Sequence, residues 1–112
     1  MGISTHVLNT ALGRPAAGIA VALDRLEAVG WDTLTELCTD QDGRAGSLLQ
    51  RELPPPAGTY RLRFATAPYF AALGIATLYP EIEIRFQVLP GESHYHLPLL
   101  LTPNSYTTYR GS

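Results

Sequence analysis

Proline and glycine cut this chain into short pieces, and their spacing limits what it can fold into more than any other feature. Breaks fall at Gly13 to Gly18, at Gly30, at Asp40 to Gly46 (DQDGRAG), at Pro54 to Gly58 (PPPAG) and at Leu89 to Ser93 (LPGES). Each carries turn chemistry. The runs between them are roughly six to ten residues long, the length of strands.

Several runs also have the strand period of two. In EIEIRFQV, Ile82, Ile84, Phe86 and Val88 alternate with Glu81, Glu83, Arg85 and Gln87; in TYRLRF, Tyr60, Leu62 and Phe64 alternate with Arg61 and Arg63. GIAVAL puts Ile19, Val21 and Leu23 on one face. One piece, APYFAALG, reads as a helix of under two turns, with Pro68 suited to its first position and Gly74 to its end. About eight short strands and one helix predict an all-β sandwich or barrel. A single domain spanning residues 1–112 is expected, with 46% hydrophobic and 16% charged residues placing it among globular chains.

Net charge is -2, which argues against a nucleic-acid partner. Cys38 is the only cysteine, so no internal disulfide can form. No stretch approaches the ~20 apolar residues of a membrane helix, and no basic-then-apolar leader is present. A cytoplasmic protein without a membrane partner is the expectation.

Three histidines supply the side chain best suited to proton transfer near neutrality. Alternation in SHYHLPLLL puts His94, His96 and Pro98 on one face and Tyr95, Leu97 and Leu99 on the other; in ISTHVLN, His6 lies with Ser4 and Leu8, opposite Ile3, Thr5 and Val7. Taken singly, each histidine has the ordinary reading of a surface or structural residue. His94 and His96 have chelate spacing, but no third ligand has matching spacing, so no metal is expected. Arg44, in the turn TDQDGR, is by default a solvated arginine whose fork can also hold a carbonyl or oxyanion. The ending SYTTYRGS alternates like a strand and closes on Tyr109, Arg110, Gly111 and Ser112.

STHVLNTALGRPA, TDQDGR and HYHLPLLLTPNSYTTYRGS together resemble the transthyretin-related family, specifically its enzymatic branch of 5-hydroxyisourate hydrolases. PPPAGTYRLRF and YFAALG before LYPEIEIRF extend the likeness along the chain. The resemblance implies a transthyretin-like Greek-key sandwich of two four-stranded sheets with one short helix after the fifth strand, assembled as a homotetramer, a dimer of dimers. It implies hydrolysis of 5-hydroxyisourate to 2-oxo-4-hydroxy-4-carboxy-5-ureidoimidazoline in urate breakdown to allantoin, with no cofactor. It also implies catalytic roles for His6, Arg44, His96 and Ser112, and substrate binding by His6, Arg44, Tyr109, Arg110, Gly111 and Ser112, in a channel between dimers. On that reading His6, kept neutral by the cation of Arg44, takes a proton from water, His96 donates to or orients the ring, and the two roles can be exchanged.

The family usually reads HVLD and LLLSP where this chain has Asn9 and Thr102, changes that touch fine tuning only. The competing reading from the same fold is a small-ligand carrier of the transthyretin type, and a purely structural sandwich is a third. Fold does not choose among them, because function resides in the site.

Overall fold

A computed structural model describes residues 1–112, and its strands follow the punctuation. They are β1 (Gly2–Asn9), β2 (Arg14–Pro15), β3 (Ala20–Glu27), β4 (Gly30–Cys38), β5 (Arg44–Gln50), β6 (Gly58–Phe64), β7 (Ile82–Val88), β8 (His94–Thr102) and β9 (Ser105–Thr108), with helix α1 (Thr66–Ala72) after β6. One sheet has the order β4-β3-β6-β7. In the other, β8 and β9 follow β1 on one side, while β5 and then the two-residue β2 share its opposite edge. The two-sheet sandwich is as expected, but one sheet has five strands, not four: the two-residue β2 pairs with the end of β1 beyond β5, which also makes the strand before α1 the sixth. All neighbours run antiparallel except β1 and β8, which pair in parallel from Gly2↔His94 to Asn9↔Leu101 without a shift.

Alternation sends one side chain in two between the sheets. Ile3, Val7, Tyr95, Leu97, Leu99 and Leu101 from one sheet meet Val21, Leu23, Tyr60, Leu62, Phe64, Ile82 and Ile84 from the other in a single buried cluster. Each such large side chain contributes about 1.5–3 kcal/mol on leaving water. Phe70 of α1 closes one end of this core.

The helix departs from expectation at its start. Pro68 occupies the third helical position, not the first, because α1 begins at Thr66, whose hydroxyl donates to the Tyr79 carbonyl. The third N–H still lies in the turn that has no intrahelical partner, so proline costs nothing there. Gly74 ends the helix at φ 71°, and the N–H groups of Gly74 and Ile75 donate back to Ala71 and Phe70. That double bond is the left-handed glycine stop expected of the sequence. No helix is long and apolar enough to cross a membrane.

The outer face of the β4-β3-β6-β7 sheet holds a buried charge. Asp24, with 0% of its side chain exposed, lies between strands bearing Arg61, Arg63 and Thr33. Arg61 Nε and Arg63 Nε each donate to Oδ2 at 2.7 Å, and Thr33 Oγ1 donates to Oδ1 at 2.8 Å. Trp31 stacks on the Arg61 guanidinium, 4.2 Å from ring centre to Cζ, and roofs the group. Burial pushes the Asp24 carboxyl up, but the hydrogen bonds from Arg63, Thr33 and Arg61 outweigh it and bring the pKa from 3.8 to about 2.

A carboxyl with a depressed folded-state pKa adds stability above its unfolded pKa and loses it as pH falls toward the folded value. Asp24 thus contributes about 2 kcal/mol at neutral pH, a contribution that fades between roughly pH 4 and pH 2. Denaturant unfolding of the wild type should weaken through that window. Asp24→Asn should be less stable at pH 7 by about 3 kcal/mol, because two arginines lose their counter-charge, and should show a flatter pH dependence; equal slopes for the two proteins would refute this account.

Candidate active site

The parallel ladder brings the two histidine-bearing segments together. Ser4 lies across from His96, His6 across from Pro98, and Gly2 across from His94. These pairs share the outer face because their neighbours Ile3, Thr5 and Val7 are buried on the core side. On the other edge of β1, His6 pairs with Arg44 of β5.

Arg44 is delivered by the turn before β5. The Asp40 carboxylate accepts from the N–H groups of both Asp42 and Arg44 at 2.9 Å, and the Asp40 N–H donates to the Arg44 carbonyl. Gly43 sits at φ 77°, and a Cβ there would run into the Val7 carbonyl, so this turn requires glycine. The turn also grips His6, whose Nε2 donates to the Asp42 carbonyl at 2.8 Å. A carbonyl only accepts, so Nε2 of His6 carries a proton and Nδ1 is its free nitrogen.

Beyond Arg44, β5 bulges away from β1. Thr5 pairs with Ala45 and Ile3 with Leu49, leaving Gly46 to Leu48 opposite Ser4 alone. Such a bulge bends the strand and opens the surface beside it. A cavity of about 400 Å³ occupies this place, lined by Ser4, Thr5, Arg44, Gly46, His94, Tyr95, His96 and Ser112.

The tail reaches the cavity by continuing β9. After Thr108 the ladder lapses where Pro98 has no N–H to offer, then resumes in the same register with His96↔Gly111, whose N–H donates to the His96 carbonyl at 2.6 Å. A Cβ on Gly111 would stand 2.8 Å from His96 Cδ2 and 3.2 Å from Pro98. Glycine lets the tail pass close to that ring without displacing it.

The expected site residues therefore separate into groups. Arg44, His96 and Ser112 share the cavity wall, and Gly111 packs against the His96 ring. His6 stands beside the cavity, bound to the Asp42 carbonyl. Tyr109 and Arg110 line a different groove, with Ile84, Phe86 and Leu97 between the free edges of the two sheets. Arg110 lies over the Tyr95 ring, 4.3 Å from its centre, and donates to the His94 carbonyl at 2.9 Å. The tail divides between Arg110 and Gly111: the first pair lies in this groove, and the second pair lies at the cavity that holds His96. Ser4 and Gly46 were not singled out in the sequence; the shared outward face of Ser4 and His6 was the available signal for the first, and β5 gave none for its bulge.

Electrostatics single out His96. Burial lowers its pKa below the ordinary 6.5, and the positive charge of Arg44 and then His6 lower it further. At neutral pH the His96 imidazole is uncharged. No three His, Cys, Asp or Glu side chains converge as a metal site would require.

A model of the HIUase/Transthyretin family matches residues 3–111. The chain belongs to this family. It is 45% identical to the 5-hydroxyisourate hydrolase of Mus musculus, over 98% of this chain and 94% of that one. Among solved structures it is similar to the 5-hydroxyisourate hydrolase of Klebsiella pneumoniae, with 39% identity, a TM-score of 0.86, and coverage of 99% and 98%. It is also similar to sea bream transthyretin in complex with thyroxine, with 31% identity, a TM-score of 0.90, and coverage of 99% and 95%. The same framework thus carries an enzyme and a hormone-binding protein in this family.

Replacing Arg44 by Gln removes the charge that acts most strongly on His96 and should raise the pKa of that histidine, while burial keeps it below the ordinary value. Histidine ring resonances followed by NMR across pH 4 to 9 would measure it. An unchanged or lower His96 pKa in Arg44→Gln would contradict the electrostatic account.

Proposed function

We propose that this protein hydrolyses 5-hydroxyisourate to 2-oxo-4-hydroxy-4-carboxy-5-ureidoimidazoline, the step that the names of its relatives describe. The observation that carries the reading is one cavity in which a neutral, half-buried histidine shares the wall with a fixed cation: His96 and Arg44, with Ser112 beside them. Water adds to the lactam carbonyl of the substrate, the C–N bond of that lactam breaks, the carbon becomes a carboxylate and the nitrogen takes a proton. His96 is the proton acceptor, because a general base must be unprotonated at the working pH and its pKa is lowered in that direction. Arg44 and the Ser112 hydroxyl hold the heterocycle and the negative charge that develops on the carbonyl oxygen. His6, tied to the Asp42 carbonyl, holds the turn that presents Arg44.

Tyr109 and Arg110 contribute by anchoring. Arg110, held by Tyr95, Glu92 and the His94 carbonyl, keeps Gly111 and Ser112 against the cavity. The working unit is a homotetramer, a dimer of dimers. Two features support this assembly. The free edges of β7 and β9 flank the apolar groove that holds Tyr109, and the outer face bearing His6 and His96 is otherwise half open to water.

The carrier reading shares the fold but fits this cavity poorly. Of its eight lining residues one is hydrophobic, and a hydrophobic iodinated hormone needs an apolar wall where a small polar heterocycle does not. No cofactor enters the proposed reaction.

Freshly generated 5-hydroxyisourate should disappear faster with the protein than by spontaneous decay, and light scattering should give a tetramer. His96→Ala should lower kcat by a hundredfold or so. Gly111→Ala, which drives a methyl group into the His96 ring, should cost on the order of tenfold to a hundredfold through misplacement. For the wild type, kcat/KM should be level at neutral pH and fall as pH drops through the lowered His96 pKa, since protonation removes the base. Wild-type rates in His96→Ala would rule out this assignment.

A further inference from the structure

Ser4 sits on β1 directly across from His96 on β8, and its Oγ is 2.8 Å from His96 Nδ1. The opposite edge of the ring, at Cδ2, lies against Gly111. An imidazole on a strand turns about two bonds, and the Ser4 bond at Nδ1 with the close approach of Gly111 at Cδ2 restricts both. The far edge, Cε1 and Nε2, is what remains for the cavity.

A neutral imidazole holds its proton on one nitrogen, and the partner of the other nitrogen decides which. A serine hydroxyl both donates and accepts, so Ser4 is compatible with either tautomer. The surrounding charge is not neutral on the matter. Arg44 lies in the same cavity wall, and a positive potential favours a lone pair pointing toward it over an N–H bond. The proton then belongs on Nδ1, next to the serine.

We propose that Ser4 is a positioning residue: its Oγ accepts the Nδ1–H of His96, fixing the ring and its tautomer so that the Nε2 lone pair faces the cavity. This rests on His96 being the proton acceptor in the proposed hydrolysis. Ser4 acts through the histidine, as a carboxylate or carbonyl does behind other catalytic histidines, with a weaker acceptor suited to a ring that must stay neutral.

The test has an arm independent of activity. Nitrogen-15 spectra of the histidine-labelled wild-type protein, taken above the His96 titration, should show Nδ1 protonated and Nε2 bare. In Ser4→Ala the two tautomers should mix. With 5-hydroxyisourate as substrate, Ser4→Ala should lose about tenfold in kcat with KM held within about twofold, the loss expected when one orienting hydrogen bond disappears. Ser4→Thr, which keeps the hydroxyl, should recover most of the rate and the wild-type spectrum. A bare Nδ1 in the wild type, or an acyl adduct on Ser4 by mass spectrometry, would overturn the proposal, as would a Ser4→Ala variant with wild-type tautomer and kcat. A wild type that does not accelerate 5-hydroxyisourate decay would sink the hydrolase reading instead, and the spectra would still decide the role of Ser4.

Discussion

The parallel pairing of β1 with β8 is the constraint on which the rest depends. It joins segments some ninety residues apart, and all of the other sheet is made by the chain between them. Eight consecutive pairs form without a bulge, so alternation holds on both strands at once. Ile3, Val7, Tyr95, Leu97, Leu99 and Leu101 enter the core while Ser4, His6, His94 and His96 stay outside. A slip of one residue would exchange these sets, burying histidines and exposing leucines. Burial of the leucines therefore fixes the register that sets Ser4 against His96. Core and site are specified by the same hydrogen-bond ladder.

What was legible in the sequence was whatever alternation and turn chemistry encode locally. Ile82, Ile84, Tyr60, Leu62, Phe64, Val21 and Leu23 lie inside as their period predicts, and Gly74 stops the helix. Asp24 was not legible. In β3 it follows Leu23 on what reads as a solvent face, and its burial depends on Arg61 and Arg63 reaching from β6 and Thr33 from β4. A pairwise register brings those four together, and no single strand records it. Arg61 and Arg63, which read as solvated charges, spend their guanidinium groups on one carboxylate.

Which candidate residues share the outer face was legible, and how they divide in space was not. The outward face of the histidines follows from the leucines and valines beside them. The bond that ties His6 to the turn before β5 does not, because it depends on the Asp42 carbonyl, a backbone group 36 residues away. Nor does the split of the tail follow from reading YRGS as a unit. Pro98 suspends the β8–β9 ladder opposite Tyr109, and the chain regains β8 at Gly111, so arginine faces one groove while glycine and serine face another. The bulge of β5, which opens the cavity beside Ser4, is equally a property of a pairing and not of a segment.

The two departures from the family pattern take on meaning only within this geometry. Thr102 accepts from the Asn104 N–H and bonds the Ser105 hydroxyl, so it closes the β8–β9 turn as a serine would. Asn9 lies on β1 with the core-facing residues, on the opposite side of the strand from His6. There its amide donates to the Tyr69 hydroxyl at 3.0 Å and accepts from the Leu12 N–H at 3.1 Å, tying the end of β1 to both α1 and the following turn. A carboxylate at this position keeps the acceptor but has no donor, so Tyr69 would have to turn its own hydroxyl toward it, and a buried charge would need that bond. The neutral amide satisfies both partners without a charge. Its place on the core side of β1 makes it a joint of the scaffold, separated by the strand itself from the face where His96 and Arg44 meet.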